Sequence, residues 1–188
     1  MTPNDRGRPG DVLGLTKPIG FGIVTTAAKQ DRDDAGALDE AIRLMSTLNR
    51  SAAEAAAAVG ARAATDVTGF GLLGHLRNLT AASGCAAVVD AATVPIVPHA
   101  RAYVEAGIAP GGTHANRRFV ASSVTYAEHI DEATQLLLCD AQTSGGLLVA
   151  VPAAEAGPLT AELDARGAPC AAVIGHLVDG PRGTIRVA

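Results

Sequence analysis

The sequence is poor in aromatic residues and in positive charge. It has no tryptophan, and phenylalanine, tryptophan and tyrosine together supply 3% of its 188 residues. Its 15 lysines and arginines are outnumbered by 19 aspartates and glutamates, which gives a formal net charge of −4. A surface that binds nucleic acid needs a basic patch and, for single strands, aromatic side chains on which bases stack. The sequence therefore predicts that nucleic acid is not a main partner.

Long apolar runs and paired cysteines are also missing. No apolar run approaches the length that spans a bilayer, and the N-terminal residues MTPNDRGRPGD contain no apolar core of a signal peptide. We therefore expect no membrane partner and a cytoplasmic location. Cys85, Cys139 and Cys170 form no C-x-x-C pair, so neither a zinc site nor a disulfide framework is predicted. Each is expected to be a small buried residue.

The most informative segment is ATDVTGFGLLGHL, residues 64–76. It predicts a short strand, an acidic turn, a glycine-rich loop and the first turns of a helix. Glycines let a backbone approach a ligand, and the amides and dipole at a helix start favour a phosphate. Asp66 can bind Mg²⁺ through a carboxylate oxygen. The segment therefore indicates a phosphate or metal–phosphate site, and the structural alternative is a tight turn whose glycines serve packing.

The same segment also fits a dinucleotide-binding pattern. Gly69, Gly71 and Gly74 satisfy G-x-G-x-x-G, and Asp90 ends a predicted strand about 20 residues further on, where a ribose would need a carboxylate. An oxidoreductase domain that uses residues 69–74 and Asp90 is therefore one alternative. Thr65 and Asp66 weaken it, because a central parallel strand should be apolar.

The rest of the chain alternates between predicted strands and helices. With 48% hydrophobic residues, the chain can bury the core of one domain. Strands are predicted at residues 12–16, 63–67, 85–89, 147–151, 170–174 and 184–187. Helices are predicted at residues 19–28, 34–48, 51–59, 100–106, 131–138 and 152–166, with Ser51 and Glu54 forming a capping box. Residues 111–116 and 140–146 are predicted to be loops. Strands followed directly by helices favour a layered sheet with helices packed on it.

Four blocks of this sequence carry a family resemblance. They are PGDVLGLTKPIGFGIVTTA, ATDVTGFGLLGHL, GIAPGGTHANR and LLLCDAQTSGGLLVAV, in that order and spacing. With these blocks the chain resembles the C-terminal domain of selenophosphate synthetases (selenide, water dikinases). The last block departs from the family pattern, since Ala141 stands where the family usually has proline. The resemblance implies an α+β fold, a layered mixed β-sheet with packed helices of the AIR-synthetase-like type, over residues 11–188. Residues 1–10 would be a flexible segment or linker remnant.

The resemblance also implies a function for the longer enzyme. Selenophosphate synthetases use Mg²⁺ and ATP to convert selenide into selenophosphate, releasing AMP and phosphate. Their N-terminal ATP-binding domain supplies the catalytic cysteine or selenocysteine and a lysine, and it builds most of a homodimer. That domain has no counterpart here, so we expect no catalytic residue in this chain and no activity from the chain alone. The resemblance assigns one metal ligand, Asp66.

Several further residues are candidates for lining a phosphate site or a cleft against the N-terminal domain: Thr68, Gly69, Gly71, Thr113, Asn116, Gln142, Thr143 and Ser144. The alternative for these polar positions is that they satisfy the backbone of their own turns. Lys17 is expected to be exposed, and His75 to be an ordinary helix residue. A last alternative for the whole chain is a non-catalytic interaction module with an exposed apolar patch.

Overall fold

Seven strands of the chain form a single mixed sheet. A computed structural model describes residues 2–188. The strands are β1 (Asp11–Leu15), β2 (Ala63–Asp66), β3 (Ala86–Val89), β4 (Val124–Tyr126), β5 (Leu147–Pro152), β6 (Ala172–Val178) and β7 (Ile185–Val187). Their order is β2-β5-β1-β6-β3-β7-β4. The pairs from β2 to β3 are antiparallel, and β7 is parallel to both β3 and β4. β2 is therefore an edge strand.

Helices cover both faces of this sheet. They are α1 (Phe21–Lys29), α2 (Ala37–Ser46), α3 (Arg50–Ala58), α4 (Gly71–Ser83), α5 (Ala100–Glu105), α6 (Gly111–Val120), α7 (Glu132–Leu138) and α8 (Ala156–Ala165). Successive residues of β5 point to opposite faces, as the two-residue period of a strand requires. Leu148 lies in the core that includes α4, whereas Val149 lies in the core that includes α3 and α8. The predicted α+β class with a layered mixed sheet is confirmed.

A third apolar cluster joins α1, α2, α5 and α7. It contains Phe21, Leu44, Tyr103 and Leu137, all buried. α7 begins with a conventional cap, because the Asp131 carboxylate accepts a hydrogen bond from the Thr134 amide at 2.8 Å. Within residues 2–188, none of the helices combines the length and the apolar character needed to cross a membrane.

Two sequence predictions of secondary structure are wrong. The segment predicted as a loop at residues 111–116 is the start of α6, in spite of two glycines that disfavour helix. The buried residues of α6, Thr113, Asn116 and Val120, follow helical spacing, so packing of one face stabilises the helix. Ser51 lies inside α3 and forms no capping box, because the N-cap of the helix is Asn49, two residues earlier. Strand β4 was not predicted at all.

The first residues of the chain contact the domain. The Ala64 amide donates to the Pro3 carbonyl at 2.9 Å, and the Gly10 amide donates to the Leu177 carbonyl at 2.8 Å. The Gly7 amide donates to Ser83 Oγ at 3.0 Å. The division at residue 10 stays a prediction, but residues 3–10 add hydrogen bonds to the sheet and to α4.

Candidate functional site

Asp66 ends the edge strand β2 with its side chain exposed. Its register partner across the sheet is Leu147 of β5. The next residue, Val67, is fully buried and donates its amide to the Gly146 carbonyl at 2.8 Å. The chain is therefore fixed directly after Asp66, and the loop of residues 67–70 leads from β2 into α4.

A contact between Thr68 and His75 joins this loop to α4. The Thr68 amide donates to His75 Nε2 at 3.0 Å, and Thr68 Oγ1 lies 3.1 Å from the same nitrogen. Because Nε2 accepts a backbone hydrogen bond, the neutral ring carries its proton on Nδ1. Burial lowers the pKa of His75, and the negative charge of Asp66 opposes this shift. His75 thus has a specific contact with the loop that the sequence did not predict.

Gly71, the first residue of α4, is required by its conformation and its surroundings. Its φ is +69°, and a Cβ at this position would lie 2.6 Å from the Cys139 carbonyl oxygen. The loop therefore packs directly on the segment that follows α7. The Gln142 amide donates to the Thr68 carbonyl at 3.1 Å, which adds a backbone contact between the two segments.

A buried polar network centred on Asp140 supports this contact. Asp140 is fully buried, and its carboxylate accepts from the amides of Gly22 and Ile23 at 2.9 and 3.3 Å, and from Thr113 Oγ1 at 2.7 Å. Gln142 Nε2 also donates to it at 3.0 Å. Burial raises the pKa of Asp140 to about 6, although these hydrogen bonds favour the charged form. Asp140 thus caps α1 and ties it to α6.

The candidate cleft residues fall into two groups. Thr113, Asn116 and Gln142 are buried, and their polar atoms bind protein groups. Thr68 is half-buried, while Gly69, Thr143 and Ser144 are exposed. The buried three therefore lie behind the loop or in the network that supports it. Gly69 is exposed on the loop, whereas Thr143 and Ser144 are exposed on the turn that follows α7.

Lys17 is buried, and the prediction that it is exposed is wrong. Only 1% of its surface is accessible. Its Nζ donates to the Thr47 carbonyl at 2.6 Å and the Ser144 carbonyl at 3.0 Å, and burial lowers its pKa. Asn49 Nδ2 donates to the neighbouring Gly145 carbonyl at 2.8 Å. Lys17 and Asn49 thus fix the turn at residues 144–145 to the connection between α2 and α3. The partners of Lys17 are distant in the sequence, so local sequence could not reveal this burial.

Asp66 also borders a groove of about 720 Å³ between β2, α3 and the first residues of the chain. Ala53, Ala57, Leu147 and Arg50 are among the residues that line it. Among residues 2–188, no three histidine, cysteine or acidic side chains gather to hold a metal. Mg²⁺ is commonly held by one or two carboxylates together with substrate phosphates, so Asp66 fits as one ligand of a shared site.

Two half-exposed phenylalanines lie beside this loop. The accessible fractions of Phe70 and Phe119 are 51% and 46%, and their ring centroids are 5.8 Å apart. The ring centroids of His75 and Phe70 are also 5.8 Å apart, and the Arg77 guanidinium lies 4.9 Å from the centre of the Phe119 ring. In a chain with so few aromatics, this pair forms a distinct apolar surface next to the glycine loop. No spacing in the sequence indicates this pair, because Phe70 lies in the loop before α4 and Phe119 lies on α6.

The sheet topology contradicts the dinucleotide alternative. A dinucleotide fold needs parallel neighbouring strands on either side of the glycine loop helix. Here β2 pairs antiparallel with β5, and β5, β1 and β6 lie between β2 and β3. Asp90 caps the turn at residues 91–93 by accepting from the Ala92 amide at 3.1 Å. The G-x-G-x-x-G spacing therefore occurs without its structural context.

A layered α+β domain that presents an acidic, glycine-rich loop at its sheet edge is the class that this fold and site define. The chain belongs to the family described as AIR synthase related protein, C-terminal domain, which it matches over residues 8–188. The fold is also that of solved structures with low sequence identity. E. coli HypE, a hydrogenase maturation protein, superposes with a TM-score of 0.73 at 17% identity, covering 100% of this chain and 49% of that one. A thiamine-monophosphate kinase from Stenotrophomonas maltophilia gives 0.68 at 20% identity, covering 99% and 52%.

Curated relatives are more similar in sequence. The selenide, water dikinase of Pelobacter propionicus is 44% identical over 172 residues, which cover 92% of this chain and 49% of the relative. That of Myxococcus xanthus is 42% identical over 182 residues, which cover 96% and 51%. The chain thus spans about half the length of the curated relatives it matches. Its resemblance to the C-terminal domain of this group is confirmed.

Proposed function

We propose that this chain is the C-terminal half of a selenide, water dikinase, an enzyme that makes selenophosphate from selenide and ATP and releases AMP and phosphate. The observation that carries the proposal is the 44% identity with the Pelobacter propionicus selenide, water dikinase over 92% of this chain. The exposed carboxylate of Asp66, directly before a glycine loop that is hydrogen-bonded to α4, α6 and the segment after α7, supports it.

In this proposal the chain forms one wall of a site for ATP and Mg²⁺. Asp66 is the single carboxylate that this wall offers to the metal, and the loop backbone with the start of α4 faces the phosphates. Mg²⁺, when bound, would neutralise phosphate charge. Phosphoryl transfer depends on positioning and on several cations and donors acting together. One aspartate and one loop do not supply all of these, so the chain alone is proposed to be inactive.

The remaining groups would come from an N-terminal ATP-binding domain. The relatives are about twice as long as the matched region, which leaves room for such a domain. The half-exposed Phe70 and Phe119 lie beside the loop and would be covered when the two domains close. A homodimer, built mainly through the N-terminal domain, is part of the same proposal.

The metal role of Asp66 can be tested on the chain itself. We expect millimolar Mg·ATP to shift the amide resonances of residues 66–71, and Mn²⁺ with ATP to broaden them. Asp66→Asn should weaken the metal-dependent part of these spectral changes by about tenfold or more, because a neutral amide is a poorer ligand for Mg²⁺ than a carboxylate.

Asp90→Asn is the matched control, since it makes the same change at an exposed aspartate that caps a turn on another part of the sheet. It should leave the metal-dependent shifts unchanged. Equal metal dependence in wild type and Asp66→Asn would remove Asp66 from the site.

The reaction itself requires the longer protein. A chimera that joins the N-terminal half of the Pelobacter propionicus enzyme to this chain should form AMP from ATP only when selenide is present. The chimera with Asp66→Asn should lose most of this activity, while the chain alone should form no AMP. A well-folded chimera without selenide-dependent AMP formation would contradict the proposed substrate.

A further inference from the structure

The loop that follows Asp66 is held by a side chain from a distant helix. Asn116 of α6 is 7% exposed, and its Nδ2 donates to the Gly69 carbonyl at 2.8 Å and to the Cys139 carbonyl at 3.0 Å. One amide group therefore joins the middle of the glycine loop to the end of α7. Both of its protons are used in these two bonds.

Residues of the loop itself provide little side-chain support near Gly69. A Cβ built on Gly69 would have no atom within 4 Å, so this residue is not confined by packing. The start of α4 has no side-chain capping hydrogen bond. The contact from Asn116 is thus the side-chain hydrogen bond that fixes the position of the Gly69 peptide.

The helix that carries Asn116 is anchored by a buried hydrogen-bond network. Thr113, one turn earlier on α6, is fully buried and donates to Asp140 at 2.7 Å. Asp140 in turn accepts from the first turn of α1. The helix that carries Asn116 is therefore tied to α1 through the buried network.

We infer that Asn116 is a positioning residue, which orients the 67–70 loop so that Asp66 and the first amides of α4 face the same ligand. This inference rests on the proposed function for the identity of the ligand, Mg·ATP. The hydrogen bonds that carry it are independent of that function. Asn116 touches the loop from its buried side and makes no contact with the ligand in this assignment.

The test is residue-resolved amide hydrogen exchange on the full chain and on Asn116→Ala. We expect the amides of Thr68 and Gly71 to exchange about tenfold faster in the variant, the effect of losing one or two hydrogen bonds, while exchange in β1, β5 and β6 is unchanged. At the same concentration, Mn²⁺ with ATP should broaden the amide resonances of residues 66–71 less in the variant than in the wild-type protein. His114→Ala is the matched control, because His114 is an exposed residue of the same helix.

Two results would overturn the inference. One is unchanged exchange at Thr68 and Gly71 in Asn116→Ala. The other is a uniform increase over the whole sheet, which would mean that Asn116 supports global stability only. If the variant fails to fold, the test is made on the wild-type protein. A scalar coupling across the hydrogen bond from Asn116 Nδ2 to the Gly69 carbonyl is expected, and its absence would also overturn the inference. Failure of Mg·ATP to perturb residues 66–71 of wild type would count against the proposed function and leave the exchange result intact.

Discussion

At the scale of single residues, burial decides what a charged side chain contributes. Two ion pairs of this chain have the same N–O distance of 2.6 Å, Arg62 with Asp11 and Arg43 with Glu40. The Asp11 side chain is 1% exposed, whereas the Glu40 side chain is 42% exposed. Water therefore screens the second pair, and it cannot replace the partner of the first.

This contrast gives a prediction for two substitutions of the same kind. Arg62→Ala should lower the free energy of unfolding by about 3 kcal/mol, because it leaves the buried Asp11 carboxylate with the Arg8 amide as its remaining partner. Arg43→Ala should lower it far less, because water screens this exposed pair. Urea unfolding followed by circular dichroism measures both. Similar losses for the two variants would show that burial does not set the difference.

Lys17 makes the same point about charge. A lysine that precedes a proline is expected to be exposed, yet its ammonium group is buried against two carbonyl oxygens. The acceptors come from residues 30 and 127 positions away. Such a partner set exists only after the chain has folded, so no local pattern could predict it.

At the scale of elements, the connection from β2 to α4 is defined by one glycine more than by the others. Gly71 has a positive φ and lies against the Cys139 carbonyl, whereas Gly69 has neither constraint. The G-x-G-x-x-G spacing treats these positions alike, but the structure gives them different roles.

We predict that Gly71→Ala destabilises the chain by about 2 kcal/mol or more, from the left-handed backbone and the close approach of Cβ to the carbonyl oxygen. Gly69→Ala, the same change two residues earlier, should stay within about 0.5 kcal/mol. Thermal and urea unfolding compare the two variants. A tolerated Gly71→Ala would show that α4 can begin elsewhere without loss.

The start of helix α6 was predicted as a loop for a local reason. Its sequence begins with two glycines and polar residues, which locally favour a loop. Thr113, Asn116 and Val120 nevertheless share one buried face at helical spacing. That spacing was a usable signal, but it is weak when two of the three residues are polar. Tertiary contacts with Asp140, Gly69 and Cys139 satisfy these polar groups.

At the scale of the whole molecule, topology separates two functions that the motif leaves open. β2 lies at an edge, with an antiparallel neighbour, so no crevice between parallel strands receives a dinucleotide at this loop. The same edge position leaves Asp66 exposed beside the groove of the domain.

We therefore predict that NADH gives no saturable amide shifts at residues 69–74 or at Asp90, under conditions where Mg·ATP perturbs residues 66–71. Calorimetry with NADH should detect no binding. ADP with Mg²⁺ is the control for nonspecific effects of a nucleoside diphosphate. Tight NADH binding at the loop would mean that the topology argument fails.

By itself the sequence determined the α+β class, most strands and helices, the family resemblance and the position of Asp66 at the end of a strand. These depend on local periodicity, on glycine and turn chemistry, and on blocks of contiguous residues. Only the tertiary structure decided the edge position of β2, the helical state of residues 111–120, the burial of Lys17 and the support of the Gly69 peptide by Asn116. Each of these depends on groups far apart in the chain, whose hydrogen bonds and shielding from water arise only when the layers pack together.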